Sequence, residues 1–285
     1  MKRLALALAL AAPCSMLAQQ KVPLVLHHLV VDVDTVTWND ITRSAFMREQ
    51  FAANESGYLN PPDAGPGIRL LGKYNYLQLM PSPSPAFVGI VLAAERAGNL
   101  ATIKAQGAFQ GARLTSVRDH QGFQGVHVVE MSDRIRPAGG DSTSDRVGFE
   151  LLQYSTEAAL RRFAVDSLPD ANRSNARFLA EYFDAKKLLS HLTGATLAIP
   201  VDDIARITRV LVRDGIAVVA DGEGAIIKLD GFTLHLIPPY RGAGVKQLQF
   251  ALTHVAPANP TYRFGPKSQL RFGPGLIAVW DFDSK

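Results

Sequence analysis

One pattern recurs three times along the chain: a β-rich run, a helical stretch, then further β-rich runs. The copies begin at Leu24, Phe87 and Ala195. Such a unit must bury one face of its strands under its own helix, and repeated units then pair or stack their sheets. The expected fold class is therefore α+β, built from tandem βαβββ units. In the first copy residues 24–33 read as a strand. Residues 37–53 carry Trp38, Ile41, Ala45, Phe46 and Met47 near helical spacing, and 68–71 and 74–80 read as strands. Residues 81–85, Pro-Ser-Pro-Ser-Pro, form a stiff linker. The second copy has strands at 87–94, 112–117, 125–131 and 147–154, a short helix at 98–106, and a Gly/Ser/Asp/Arg-rich loop at 132–146. Residues 156–194 read as a helical linker. The third copy has a strand at 195–200 and an amphipathic helix at 202–214 with Ile204, Ile207 and Leu211 on one side. Its strands at 216–220, 225–229, 232–237 and 246–253 are hinged by Asp221-Gly222 and Asp230-Gly231, which are tight-turn signals. A small β tail closes the chain.

The N-terminus has a different character. Met1-Lys2-Arg3 precedes an apolar stretch over residues 4–12, and Ala18 stands before Gln19-Gln20. That order of charge, apolar core and small residue predicts a signal peptide over residues 1–18 and a periplasmic or secreted product. The stretch is too short to span a bilayer. Cleavage would remove Cys14, the chain's only cysteine, together with Lys2 and Arg3, lowering the net charge of +4 by two. The mature protein would then hold no thiol and no disulfide. So small a charge gives no argument for nucleic-acid binding, and no membrane contact is expected after cleavage.

Strand alternation nominates the chemistry-bearing residues. In the first strand it puts His28, Val30 and Asp32 on one face and His27, Leu29, Val31 and Val33 on the other, which is the better core face. In the fourth, Tyr74, Tyr76 and Gln78 oppose Asn75, Leu77 and Leu79. Aromatic bodies with a few polar tips suit a pocket wall. Asp32 and Asp34 are possible general bases beside His28, with Asp34 better read as a helix N-cap. Arg113, Arg118, Arg134 and Arg136 could hold an anion, though solvated surface arginines are the commoner case. His235 has no evident partner. His-Glu-x-x-His, Gly-x-Ser-x-Gly and phosphate-binding glycine loops are absent.

Two segments carry a resemblance. Residues 26–33, Leu-His-His-Leu-Val-Val-Asp-Val, are similar to the opening strand of the glyoxalase-like, vicinal oxygen chelate superfamily, with His28 in the place of its inward histidine. Residues 76–79, Tyr-Leu-Gln-Leu, resemble the strand in which that superfamily carries a metal-binding glutamate. Residues 28–34, 46–51, 72–78 and 244–253, with Arg263-Phe264-Gly265 and Ala278-Val279-Trp280, resemble a family of exported bacterial proteins with a glyoxalase-like domain. The resemblance implies that the first two units, residues 19–155, pair into a cup holding the site. The third unit and its tail, residues 195–285, would be appended. It also places Gln153 at the end of the second unit, where the family often has glutamate. The implied pocket is His28, Tyr74, Tyr76, Gln78 and Gln153. No cofactor is favoured. A divalent metal, if held, would sit on His28 with Gln78 and Gln153, a set without anionic charge. The function expected is an exported protein that binds a small polar molecule. A metal-dependent lyase, isomerase or dioxygenase is the alternative, and an interaction module with a vestigial cup the third reading.

Overall fold

A computed structural model describes residues 24–55, 67–85, 87–94, 113–118, 124–130, 147–154, 179–180, 182–213, 215–240, 242–256 and 260–282. The expected leader at 1–18, the helix at 98–106, the loop at 132–146 with Arg134 and Arg136, and most of the expected helical linker lie outside these residues.

The first unit follows from local sequence. Strand β1 (Leu24–Val33) is a run of Leu and Val that ends where Asp34 turns the chain into helix α1 (Thr35–Arg43). The Asp34 carboxylate accepts from the Val36 and Thr37 amides at 3.0 and 2.9 Å, so the expected N-cap is present. The helix buries Ile41 and Thr37 and stops at Ser44; a five-residue wide helical turn (Met47–Phe51) then buries Met47 and Phe51. The helix expected over 37–53 is thus broken in the middle, and its end becomes a short strand. Strands β2 (Ala53–Glu55), β3 (Ile68–Leu71) and β4 (Tyr76–Pro81) complete the unit. The second unit supplies β5 (Val88–Ala94), β6 (Arg113–Arg118), β7 (Gln124–Glu130) and β8 (Val147–Tyr154). The two units share one sheet in the order β2-β3-β4-β1-β5-β8-β7-β6, with β1 parallel to β4 and antiparallel to β5. The expected α+β class and the pairing of the first two units are what the structure has.

The rest of the chain differs from expectation. Strand β9 runs from Leu189 to Ala198, so it starts six residues before the expected strand, inside the stretch read as helical linker. Helix α2 (Val201–Arg213) and strands β10 (Ala217–Asp221), β11 (Gly224–Leu229) and β12 (Phe232–Ile237) make the third unit. The tail is a fourth unit and not an appendage: β13 (Gly244–Leu252), β14 (Thr261–Phe264), β15 (Ser268–Phe272) and β16 (Ile277–Asp281). It pairs with the third unit in a second sheet, β10-β11-β12-β9-β13-β16-β15-β14, which repeats the connectivity of the first. His235 on β12 does have a partner, for its Nε2 lies 2.8 Å from the Asp221 carboxylate.

The two sheets share a single core. It joins Leu29, Val31 and Leu77 of the first sheet, Ile41 of α1, Ile204 and Ile207 of α2, and Leu234, Leu248, Phe250 and Trp280 of the second. Polar bonds tie the sheets together at the turn before β4. The Lys73 amide donates to the Ser190 carbonyl, and the Asn75 side chain both donates to the Leu192 carbonyl (3.0 Å) and accepts from its amide (2.8 Å). Gly72 permits the approach, because a Cβ there would stand 2.6 Å from the Ser190 carbonyl oxygen and 2.7 Å from that of Asn75. Backbone oxygens cannot swing away. Gly72→Ala is therefore expected to destabilise the protein by about 1–3 kcal/mol. Its denaturation midpoint checks this, and an unchanged midpoint would mean the turn yields freely.

Candidate functional site

The face of the first sheet opposite the core carries an ordered set of side chains. Leu71, Tyr76, His28, Val91 and Glu150 stand side by side across β3, β4, β1, β5 and β8. Arg69, Gln78, Val30, Gly89 and Gly148 form the next row. His28, Tyr76 and Gln78 therefore share one face, and the His28 and Tyr76 rings stack at 4.4 Å and 8°. Tyr74 is not with them. It lies in the preceding turn, half-exposed, edge-on to His191 at 5.1 Å with the Lys73 ammonium over its ring. Gln153 pairs in backbone register with His127, three residues beyond Glu150; its side chain lies outside the described ones.

A β-bulge brings in a residue that alternation puts elsewhere. The β1–β5 register slips between Leu26 and His28, leaving His27 as the extra residue. The buried apolar positions accordingly change phase, from Leu24 and Leu26 to Leu29, Val31 and Val33. His27 is buried with its Nδ1 2.6 Å from Nδ1 of His28 and its ring edge-on to Tyr76 at 5.3 Å. Burial, with Arg69 adding to it, pushes the His27 pKa down to about 3. Burial, then His27 and Arg69, hold His28 well below the usual imidazole range. Both rings are thus neutral at pH 7. A short contact between two Nδ1 atoms needs a proton on one and a lone pair on the other. The pair therefore combines one Nδ1–H and one Nε2–H tautomer, leaving one Nε2 an acceptor and the other a donor.

Arg69 belongs to the same face, although no sequence expectation named it. It is buried, its guanidinium lies 5.9 Å from the centroid of the Tyr76 ring, and its Nε donates a long 3.4 Å bond to the Gln78 side-chain oxygen. The Gln78 amide in turn faces the Met80 sulfur at 3.3 Å. Apolar clusters flank this polar group: Leu71, Tyr76 and Leu179 on one side, Val91, Ala93 and Leu152 on the other. Glu150, whose odd spacing from Gln153 sets the two on opposite strand faces in the sequence, holds the register position in line with His28. The signal for Arg69 was in the sequence, where Arg69 and Leu71 alternate with Ile68 and Leu70. The phase change across residues 26–29 was the signal for His27.

The donors do not suit a divalent metal. Gln78 offers a neutral oxygen already directed at Arg69, the two imidazoles spend Nδ1 on each other, and a guanidinium stands beside them. Among the described residues no three His, Cys, Asp or Glu side chains converge to hold an ion. The set can instead orient a polar molecule through a donor, an acceptor, an amide and an aromatic face.

The chain is similar to several solved structures. One is a hypothetical protein from Staphylococcus aureus, with 10% identity, 78% of this chain and 88% of that one covered, and a TM-score of 0.47. Another is the Mn(II)-bound glyoxalase from Novosphingobium aromaticivorans, with 10% identity, coverage of 93% and 85%, and a TM-score of 0.44. A third is homoprotocatechuate 2,3-dioxygenase from Brevibacterium fuscum, with 15% identity and a TM-score of 0.38; the match covers 76% of this chain but only 61% of the dioxygenase. No curated protein matches the sequence. Residues 26–282, nearly the whole described chain and all four units, match the family of unknown function DUF5829, and the chain belongs to that family.

Proposed function

We propose that this is an exported protein that binds a small neutral or anionic polar molecule at the His28–Tyr76–Gln78 face, without needing a tightly held metal. Arg69 carries the reading. Its charge helps to hold both imidazoles neutral, and the same field opposes a divalent cation at that place. Burial strengthens the effect, because a low-dielectric site screens less than water does. The neutral amide of Gln78 supplies no compensating charge.

One observation favours the metal-dependent alternative, a lyase, isomerase or dioxygenase: Glu150 stands in line with His28 and is a carboxylate. Native mass spectrometry of the exported product, after dialysis against chelator, tests the proposal as a whole. The expected species lacks residues 1–18 and carries no metal. The double variant Arg69→Gln, Gln78→Glu exchanges the cation for a carboxylate and is expected to bind a divalent metal at least about tenfold more tightly than wild type by calorimetry. A wild-type chain that keeps one metal through dialysis and loses it on His28→Ala replaces the binding reading with the enzyme reading. A species retaining residues 1–18 removes export.

A further inference from the structure

The two sheets end in four edge strands, and three of these edges are protected in ways that folded proteins use against stray pairing. β2 is only three residues long. β6 carries Arg113 and Arg118 at its ends and a bulge in its pairing with β7. β14 is held against helix α1, and the Gly265 amide at its end donates to the Asp40 carboxylate at 2.8 Å. The fourth edge, β10, has none of these devices. Its sequence, Ala-Val-Val-Ala-Asp, contains no lysine, arginine or proline, and its register with β11 runs unbroken from Ala217 to Asp221. Four of its five residues are exposed, Val219 by 51%.

The hairpin decides which groups β10 offers. The two-residue turn Gly222-Glu223, with Gly222 at φ +59°, closes on the Asp221–Gly224 pair. Asp221, Val219 and Ala217 therefore exchange bonds with β11, while Val218 and Ala220 turn their amides and carbonyls outward. Among the described residues none bonds to these outward groups. A second copy of β10 matches them. In an antiparallel pairing centred on Val219, Val218 of each chain faces Ala220 of the other, and their outward amides and carbonyls bond to one another. Val219 then packs on its twin at the twofold axis, in a close non-hydrogen-bonded pair. Ala217 stands opposite Asp221 of the partner subunit. Lys228, exposed on β11, is the cross-strand neighbour of Ala217 and shares its face. It therefore lies two strand spacings, roughly 10 Å, from that carboxylate. The short Ala217 side chain leaves the path open, and a lysine and an aspartate together span it.

We propose that two copies of this chain associate through β10, joining their eight-stranded second sheets across a twofold axis into one continuous sheet. The edge is self-complementary in its hydrogen bonds, its apolar centre and its charges, which is what an isologous interface requires. The Lys228–Asp221 contact is made twice, once on each side of the axis. One added strand pair is a small contact, so the dimer is weak, with a dissociation constant on the order of 10 µM. No residue of the histidine face takes part.

Sedimentation velocity of the purified protein, over a concentration series that brackets that value, is expected to show a monomer–dimer equilibrium. Hydrogen exchange at the Val218 and Ala220 amides is expected to slow as the dimer forms. Val219→Lys sets two ammonium groups face to face at the axis. Ala220→Pro removes an outward donor at a place where an edge strand tolerates proline. Each is expected to weaken dimerisation at least about tenfold while leaving the denaturation midpoint of the dilute monomer unchanged, which separates lost pairing from lost folding. Lys228→Glu should weaken it as well, and adding Asp221→Lys should restore it. A protein that stays monomeric up to about 1 mM overturns the proposal and leaves the edge to a foreign strand or to none. A dimer that survives both Val219→Lys and Ala220→Pro overturns it too, because its interface lies elsewhere. So does protection of the two amides at every concentration, because the edge is then covered within one chain.

Discussion

Trp280→Ala is expected to cost about 3–5 kcal/mol of stability, a large share of the margin by which a domain stays folded. Trp280 is wholly buried and touches Phe51, Phe250, Phe264 and Phe282. Its removal leaves a cavity among rings contributed by both halves. It also deprives the buried Ser268 hydroxyl of its indole donor. Trp280→Phe keeps most of the volume and should lose about half as much or less. Because one core serves both sheets, the loss should appear as a single displaced transition in chemical denaturation, whether followed by far-ultraviolet circular dichroism or by fluorescence of Trp38, the other tryptophan. Two separated transitions would show that the halves unfold independently and that no single core couples them.

Acid should destabilise the protein earlier than carboxylate titration alone would. In the unfolded chain His27 takes up a proton near pH 6.5; in the folded protein it does so only near pH 3. Between those values the unfolded state binds more protons, so stability falls as pH falls through that window, and the loss from this group is complete below about pH 3. His28 titrates in the same direction. The combined effect is on the order of a few kcal/mol. The denaturation midpoint measured between pH 8 and pH 4 should drop steeply below 6.5 in wild type and less steeply in His27→Gln, which keeps a polar side chain but cannot titrate. Parallel curves for the two proteins would show that His27 is not a titrating group in this window.

Most strands were legible because their runs are rich in β-branched and aromatic residues and end at turn dipeptides. The strands at 24–33, 68–71, 147–154 and 232–237 have the expected bounds. What was not legible depended on distant partners. Leu188, Leu189 and Leu192 fit a helical period as well as a buried strand, and only the pairing of Leu189 and Leu192 with β13 decides for the strand. The tail reads as fragments, since Gly265 and Gly273 interrupt it and no described helix separates its strands. Its identity as a fourth unit appears only in its hydrogen bonding to β9. At the site, His28, Tyr76 and Gln78 follow from simple alternation, whereas His27 needs the bulge. Alternation already sets Glu150 and Gln153 on opposite phases, but choosing the phase that meets His28 takes the β5–β8 register.

The turn that holds Lys73 and Asn75 against β9 also decides what could happen to a broken chain. In the intact protein Ser190 and Leu192 have their edge hydrogen bonds filled by this turn, beyond the point where β12 stops pairing. A proteolytic cut between Tyr154 and Leu179, with the fragments parted, would leave β9 with unpaired amide and carbonyl groups along an apolar strand. Such an edge recruits other chains. The C-terminal fragment would be prone to self-association, and adding the N-terminal fragment should suppress it by restoring the missing turn. The N-terminal half thus acts as the solubility partner of the C-terminal one.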